Sequence, residues 1–495
     1  MRKIMSRVGF SVLMMVLLAG SVACATNAAP GIASCDPEKT SINGPRIVGT
    51  TPGRPFVFLV PATGEGLRKF SARRLPDGLK IDPVTGVISG SVKKAGTYEV
   101  KLSVKGKNGS AASKLVIEAG ANKLARTPPM GWNSWNCWAG AIDDTKVRAA
   151  ADAMVKSGLA AHGYQYINID DCWEKNTRNA DGEIVPNEKF PDMKALADYV
   201  HSKGLRLGIY SSPGPWTCAG FMGSLKHEEQ DAKTYAKWGI DYLKYDWCSY
   251  SAETPGLEGL KKPFQVMGKA LENSGRDIVY SLCQYGMGNV WEWGGDVGGN
   301  CWRTTYDIRD SWDSVSGIGF GQNGHEKFAG PGRWNDPDML VVGMVGWGPN
   351  LHPTSLTQDE QITHITLWSL LAAPLLIGCD MTRLDAFTLN LLTNDEVLEV
   401  DQDPLGKPAG RVVDSKGIQV WSRPLQDGTT AVGIFNTSRE AAEGTVKWSD
   451  VGVQGRQSVR DLWLRKDLGS FDGQYTVKIP SHGAVMLKLS APRKK

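Results

Sequence analysis

The chain has 495 residues, 41% of them hydrophobic and 22% charged, with a formal net charge of +4. The length allows roughly two to four domains of ordinary globular composition. So small a charge excess gives no case for a nucleic acid or an acidic surface as partner, and the seven His and nine Cys show no zinc-type spacing.

Residues 1–25 read as an export signal. Arg2, Lys3 and Arg7 precede an apolar run from Val8 to Leu18, and Ala23-Cys24-Ala25 fits a small-x-small cleavage site. The run is too short for an ordinary membrane span, and no later stretch is a candidate for one. Cys24 is also a candidate for a lipid anchor. The expectation is an exported protein, periplasmic, cell-surface or secreted, in a compartment where disulfides persist.

Residues 26–45 read as a polar linker. From 46 to 120 short β-prone runs at 56–60, 79–81, 87–90, 96–104 and 115–117 are separated by Gly, Pro, Asp and Asn turns. They predict a small β-sandwich, and its stretch 75–90 resembles the immunoglobulin-like modules of exported bacterial proteins. It holds no catalytic cluster, so a spacer or docking role is expected.

The period changes near Thr127. Strand-like runs at 130–136, 164–170, 205–211, 240–246, 277–283, 300–307, 333–340 and 375–380 alternate with amphipathic helices. Asp143 and Asp144 open a helix that Gly158 closes, Pro191 and Asp192 open one closed by Gly204, and a third runs from His227 to Gly239. Eight strands in this alternation over 126–403 predict a (β/α)8 TIM barrel. A doubly wound sheet is the alternative, but polar residues and carboxylates recur at the ends of nearly every run, and only a barrel brings those ends to one mouth. After Asp403-Pro404 the helices stop. Residues 404–492 predict a C-terminal antiparallel β-sandwich packed on the barrel.

The run at 240–246 ends on Asp246, with Lys244 two residues earlier and therefore on the same strand face. A cation there favours the ionised carboxylate, and an ionised carboxylate at a strand's C-terminal end is a candidate nucleophile. A surface salt bridge is the structural alternative. Asp170, Asp171, Asp307, Asp336 and Asp338 end other runs. Glycoside hydrolysis needs two carboxyl groups flanking the bond, further polar groups for sugar hydroxyls, and aromatics against ring faces. The mouth offers all three, and the 17 Trp of the chain suit sugar stacking as well as core packing. No phosphate loop, dinucleotide fingerprint or metal cluster is present, so no cofactor or metal is expected.

Several motifs stand in order: Thr-Pro-Pro-Met-Gly-Trp-Asn-Ser-Trp (127–135), Ile-Asp-Asp-Cys-Trp (169–173), Gly-Ile-Tyr (208–210), Thr-Cys-Ala-Gly-Phe (217–221), Leu-Lys-Tyr-Asp-Trp-Cys (243–248), Trp-Arg (302–303) and Trp-Asn-Asp-Pro-Asp-Met-Leu (334–340). Together they resemble glycoside hydrolase family 27, the retaining α-galactosidases and α-N-acetylgalactosaminidases, over about residues 127–490. The resemblance implies a (β/α)8 barrel, Asp246 as nucleophile, Asp307 as general acid/base, and a galactoside oligo- or polysaccharide as substrate. It implies that Asp170 and Asp171 hold the galactose 4- and 6-hydroxyls, that Lys244 and Arg303 bind hydroxyls, and that Trp132 and Tyr210 line the pocket. Asp336 and Asp338 would support Arg303 or Trp residues. It also implies disulfides Cys137–Cys172 and Cys218–Cys248, with Cys283–Cys301 an open question and Cys379 a buried free thiol.

One departure stands out. Where many α-galactosidases have Cys-Glu-Trp, with the Glu bonding the sugar 2-hydroxyl, this chain has Cys283-Gln284-Tyr285. The Gln284 oxygen can accept the same bond, and its bulk favours galactose over N-acetylgalactosamine. The alternatives are a β-L-arabinopyranosidase or α-N-acetylgalactosaminidase of the same family, and a non-catalytic sugar-binding protein. Asp171 argues against arabinose, which lacks a 6-hydroxyl. The expected charge states are an Asp246 kept ionised by Lys244 and an Asp307 protonated when substrate arrives. On that expectation Arg303 serves the sugar or the nucleophile, because a cation beside the acid would strip its proton.

Overall fold

The computed structural model describes residues 31–34, 38–67 and 69–492. The expected export signal, Cys24 and Cys35 lie outside them. No helix among the described residues is long and apolar enough to cross a membrane.

The N-terminal module is a β-sandwich. One sheet joins Ile47–Thr50, Gly109–Ala119, Gly96–Gly106 and Lys69–Arg73, and the other joins Phe56–Leu59, Val87–Gly90 and Leu79–Ile81. Alternate residues turn inward, so Phe58, Ile88, Val100, Val104, Leu115 and Ile117 form a separate core. Strand structure starts ahead of the boundary expected at 46, because Ser41–Ile42 pairs with Ala62–Thr63.

Eight parallel strands follow: β1 (Met130–Asn133), β2 (Tyr166–Asn168), β3 (Arg206–Ser211), β4 (Tyr242–Asp246), β5 (Val279–Cys283), β6 (Cys301–Arg303), β7 (Trp334–Asp336) and β8 (Leu375–Ile377). From β1 to β7 each pairs with the next, and β8 pairs with β1. A parallel bridge between Leu340 and Ile377 closes the ring between β7 and β8. The sheet is therefore a barrel rather than the open doubly wound alternative. Its helices start where side chains can cap them. Asp143 accepts the Lys146 amide ahead of Asp144–Lys156, and Asp192 accepts that of Ala195 ahead of Met193–Ser202. Gly239, at φ +92°, ends Glu228–Trp238 in the left-handed conformation that favours glycine. The strands are shorter than the apolar runs suggest. Asp170, Asp307 and Asp338 therefore stand on loops just past strand ends, where the backbone turns freely.

The sandwich module closes the floor of the barrel, at the N-terminal ends of the strands. Arg206, the first residue of β3, donates from Nε (3.2 Å) and Nη2 (2.8 Å) to the Val57 carbonyl. Asp277, just ahead of β5, accepts from Thr50 Oγ1 (2.9 Å), the Thr51 amide (2.7 Å) and Arg54 Nη1 (3.3 Å). A narrow cavity lies along this seam. Its two carboxylates are already committed, Asp277 to the module and Asp241 to His201 and Arg276, so it has the character of a joint. The module thus docks firmly, on the face opposite the carboxylate-rich mouth. Asp277→Ala leaves the Thr51 N–H without its acceptor and costs about 1–3 kcal/mol. The expected result is a lower thermal midpoint with an unchanged KM; a changed KM at an unchanged midpoint would contradict the docking.

The C-terminal domain has a six-stranded antiparallel sheet facing the pair Ala442–Lys447 and Gln474–Ile479. It sits on the helix Gln358–Leu370, which is buried along its length and starts on a Thr357–Glu360 capping box. Trp463 Nε1 donates to Thr366 Oγ1 at 2.8 Å, and Arg423 Nη1 donates to the Ser369 carbonyl at 3.2 Å.

Candidate active site

The mouth of the barrel holds a small, open-mouthed cavity. Asp170, Asp171, Tyr210, Lys244, Asp246, Arg303 and Asp307 all line it. On β4 the period of two places Lys244 and Asp246 on one face. Lys244 Nζ stands 2.9 Å from Asp170 Oδ2, 3.8 Å from Asp246 Oδ2 and 5.2 Å from the centre of the Tyr210 ring. The cation therefore binds Asp170 directly and acts on Asp246 through space.

Asp170 and Asp171 reach the cavity together because β2 ends at Asn168 and the chain turns, with Cys172 at φ +80°. The end of β1 and the residue after it hold Asp170 in place. Asn133 Nδ2 donates to Asp170 Oδ2 (2.8 Å), and Ser134 Oγ accepts the Asp170 amide (2.9 Å). Asp171 accepts the amides of Cys172 (2.6 Å) and Ala219 (2.8 Å), one on each oxygen. Each oxygen keeps a lone pair for a sugar hydroxyl.

Across the cavity, Arg303 Nη2 reaches Asp338 Oδ2 at 2.9 Å and Asp307 Oδ1 at 3.1 Å. Asp338 also accepts the Ile308 amide at 2.9 Å, so it anchors both the Arg and the loop that carries Asp307. Asp336 in turn accepts the Asp338 amide at 2.8 Å. Asp338 is thus the direct partner of Arg303, and Asp336 meets it through Asp338. The contact with Asp307 corrects the expectation that Arg303 would leave the acid alone: the short loop after β6 returns Asp307 over the same guanidinium.

Two expected site residues, Trp132 for the wall and Gln284 for the 2-hydroxyl, do not line the cavity. Trp132 is fully buried beneath the mouth, its indole N–H donating to the Cys379 carbonyl at 2.8 Å. The wall is instead Trp135, the second Trp of the same motif, carried into the cavity by the short helix after β1. Gln284 is also fully buried. Its amide nitrogen donates to the Met287 carbonyl at 2.9 Å, away from the cavity. The next residue, Tyr285, turns back at φ +62° and lines the cavity, its hydroxyl donating to Asp246 Oδ1 at 2.7 Å. Gln284 Oε1 has no hydrogen-bond partner among the described residues, and Tyr285 takes a place in the site that the residue pattern does not announce.

Cys218 and Cys248 are bridged. Cys137 and Cys172 are not: both are buried free thiols, and Cys137 Sγ turns onto the Ser134 carbonyl at 3.5 Å. Cys283 and Cys301 are free as well. The register places Cys301 opposite Ser281, two residues short of Cys283. Cys379 is a buried free thiol, as expected.

The electrostatics of the cavity differ from the simplest expectation. Burial pushes the Asp246 carboxyl above its usual range, against the pull of Lys244 and Tyr285. Asp307 is exposed at the rim; its partial burial is outweighed by Arg303 and then Lys244, which hold it below the usual range. Burial raises Asp171 to about 6. Lys244 stays firmly charged: Asp170 leads the neighbours that outweigh its burial.

A family model described as Alpha galactosidase A matches residues 127–403, and one described as Alpha galactosidase C-terminal beta sandwich domain matches 415–489. The alpha-galactosidase of Cyamopsis tetragonoloba is 47% identical over 374 residues, which are 74% of this chain and 87% of that protein. The chain belongs to glycoside hydrolase family 27, the alpha-galactosidase family. An Ig domain model matches residues 39–118, ahead of the family 27 region. A solved Bacteroides fragilis structure, a candidate alpha-galactosidase/melibiase, superimposes with a TM-score of 0.88 at 36% identity. It covers 92% of this chain and 98% of its own, so the likeness extends well beyond the barrel. A family 27 β-L-arabinopyranosidase from Geobacillus stearothermophilus superimposes with a TM-score of 0.68 at 28% identity, over 75% of this chain and 98% of its own.

Proposed function

We propose that this family 27 enzyme hydrolyses terminal α-D-galactosyl residues of oligo- or polysaccharides with retention of configuration. The observation that carries the reading is one cavity with a buried carboxylate, Asp246, on one side and an exposed carboxylate, Asp307, at its rim, next to the Asp170–Asp171 pair. Glycoside hydrolysis needs two such carboxyl groups on one cavity; in the proposed double displacement Asp246 attacks carbon, and the accessible Asp307 serves the leaving group and then water. Asp170, Asp171, Lys244 and Arg303 hold hydroxyls, and Trp135 and Tyr210 shape the wall. The expected export over residues 1–25 fits an enzyme acting on glycans outside the cell.

The reaction needs Asp246 ionised and Asp307 protonated, the reverse of the tendency in the cavity. Substrate supplies the change. A leaving sugar over Asp307 excludes water from it and raises its pKa, while Arg303 keeps Asp338 as a partner when Asp307 turns to the glycosidic oxygen. Sugar hydroxyls donating near Asp246 favour its charged form.

A panel of nitrophenyl glycosides tests the reading. The α-galactoside is expected to be turned over fastest, and a panel led by the β-L-arabinopyranoside or by α-N-acetylgalactosaminide would overturn it. Asp171→Asn tests the glycone contact. A site built around a hydroxyl loses most on the substrate that carries it, so kcat/KM for the α-galactoside is expected to fall by about 10-fold or more, and for the arabinopyranoside by much less. Equal losses would remove Asp171 from the 6-hydroxyl.

A further inference from the structure

We infer that Tyr285 is a positioning residue for the nucleophile: its phenol fixes one oxygen of Asp246, favours the charged carboxylate and leaves the other oxygen to attack. The inference rests on Asp246 being the nucleophile of the proposed reaction. The 2.7 Å bond from Tyr285 to Asp246 Oδ1 is the one hydrogen bond that the described residues give this carboxylate. Lys244 faces Oδ2 at 3.8 Å, beyond hydrogen-bond length. The two oxygens are therefore unequal, and rotation of the carboxylate is stopped with Oδ2 open to the cavity.

The phenol is itself well fixed. Tyr285 lies in the left-handed backbone region at φ +62°, and its ring stacks on Tyr306 at 5.5 Å between centroids and 16° between planes. The Arg303 guanidinium stands 6.0 Å from the Tyr285 ring centre. Burial beside Cys283 and Asp246 keeps the phenol protonated. The titratable and charged groups facing Asp246 are Lys244 on its own strand, Asp170 after β2, Tyr210 on β3, Cys283 and Tyr285 at the end of β5, and Arg303 on β6. Apart from Tyr285, none of them donates a hydrogen bond to its carboxylate.

In the first step, Asp246 Oδ2 bonds to the anomeric carbon as the glycosidic C–O bond breaks, and the leaving oxygen takes the proton of Asp307. In the second, water adds to that carbon and passes its proton to Asp307, and the C–Oδ2 bond breaks with its electron pair returning to the carboxylate. Tyr285 keeps its proton throughout and receives the returning charge at Oδ1.

The test uses α-galactosyl fluoride, whose leaving group needs no proton from Asp307, so that a movement of the acid limb of kcat/KM on changing Tyr285 reports ionisation of Asp246; Asp171, raised to about 6, is common to every variant. In Tyr285→Phe that limb is expected to move up by about one pH unit, the weight of a hydrogen bond to a charged group. Replacing Tyr285 with 3,5-difluorotyrosine, which keeps the fold and strengthens the donor, is expected to move it down. A residue that merely fills space would lower rates at every pH without moving the limb. Acid limbs that coincide in wild type and both variants would overturn the inference. Failure of the function itself would show separately, as wild-type protein with no turnover of any α-galactoside.

Discussion

Asp246→Ala is expected to lower turnover of aryl α-galactosides by about 10³-fold or more, and azide is expected to restore it with β-galactosyl azide as product. The alanine leaves a small vacancy beside Lys244, on the face from which Asp246 Oδ2 attacks. An anion entering there meets the anomeric carbon from the β face and has no second displacement to follow. Loss of activity should not be loss of fold. Burial raises the folded pKa of Asp246 above its unfolded value, so the native state binds the extra proton and stability falls as pH rises between those two values. Above them the charged Asp246 is a burden to the fold, and Asp246→Asn at neutral pH should keep or raise the thermal midpoint. Inactive variants with collapsed midpoints would point to a structural role.

Asp307→Ala is expected to separate substrates by leaving group. Aryl galactosides that leave without a proton should form the covalent intermediate at near wild-type rates, while alkyl or sugar leaving groups should lose about 10²–10⁴-fold, the usual weight of general acid catalysis. Hydrolysis of the intermediate needs the same residue as base, so the intermediate should accumulate with the good leaving group. Azide needs no base. It should discharge the intermediate to α-galactosyl azide, the opposite anomer to that from Asp246→Ala. The pair of products assigns the two roles independently, and the same azide anomer from both variants would contradict the assignment.

The barrel was legible because its signals are local. Asp143, Asp192 and Gly239 cap helices where the pattern places caps, and each apolar run contains its strand. In the C-terminal domain the apolar, β-branched runs at 418–422 and 430–435 are buried almost throughout and were visible. Gly410–Ser415 and Lys466–Asp472 were not. They form the two edges of the six-stranded sheet, where polar, half-exposed side chains leave no hydrophobic period to read.

The site shows the same division. Lys244 with Asp246 follows from strand alternation, and Asp170 with Asp171 from a strand that must end between faces. Tyr285 does not, because its place depends on a left-handed turn after β5. The exchange of Trp132 for Trp135 depends on a four-residue helix. The pairing of Arg303 with Asp307 depends on a loop held by Asp338, which follows a different strand. Docking of the N-terminal module rests on Arg206 and Asp277 meeting residues more than a hundred positions away, beyond any local pattern.

Retention is the central claim, and the anomer first released decides it. A proton NMR time course of wild-type enzyme on an aryl α-galactoside, read before mutarotation, is expected to show α-galactose appearing first and β-galactose growing only at the spontaneous rate. β-Galactose as the first product would mean a single displacement by water and would contradict Asp246 as nucleophile and Asp307 as acid/base.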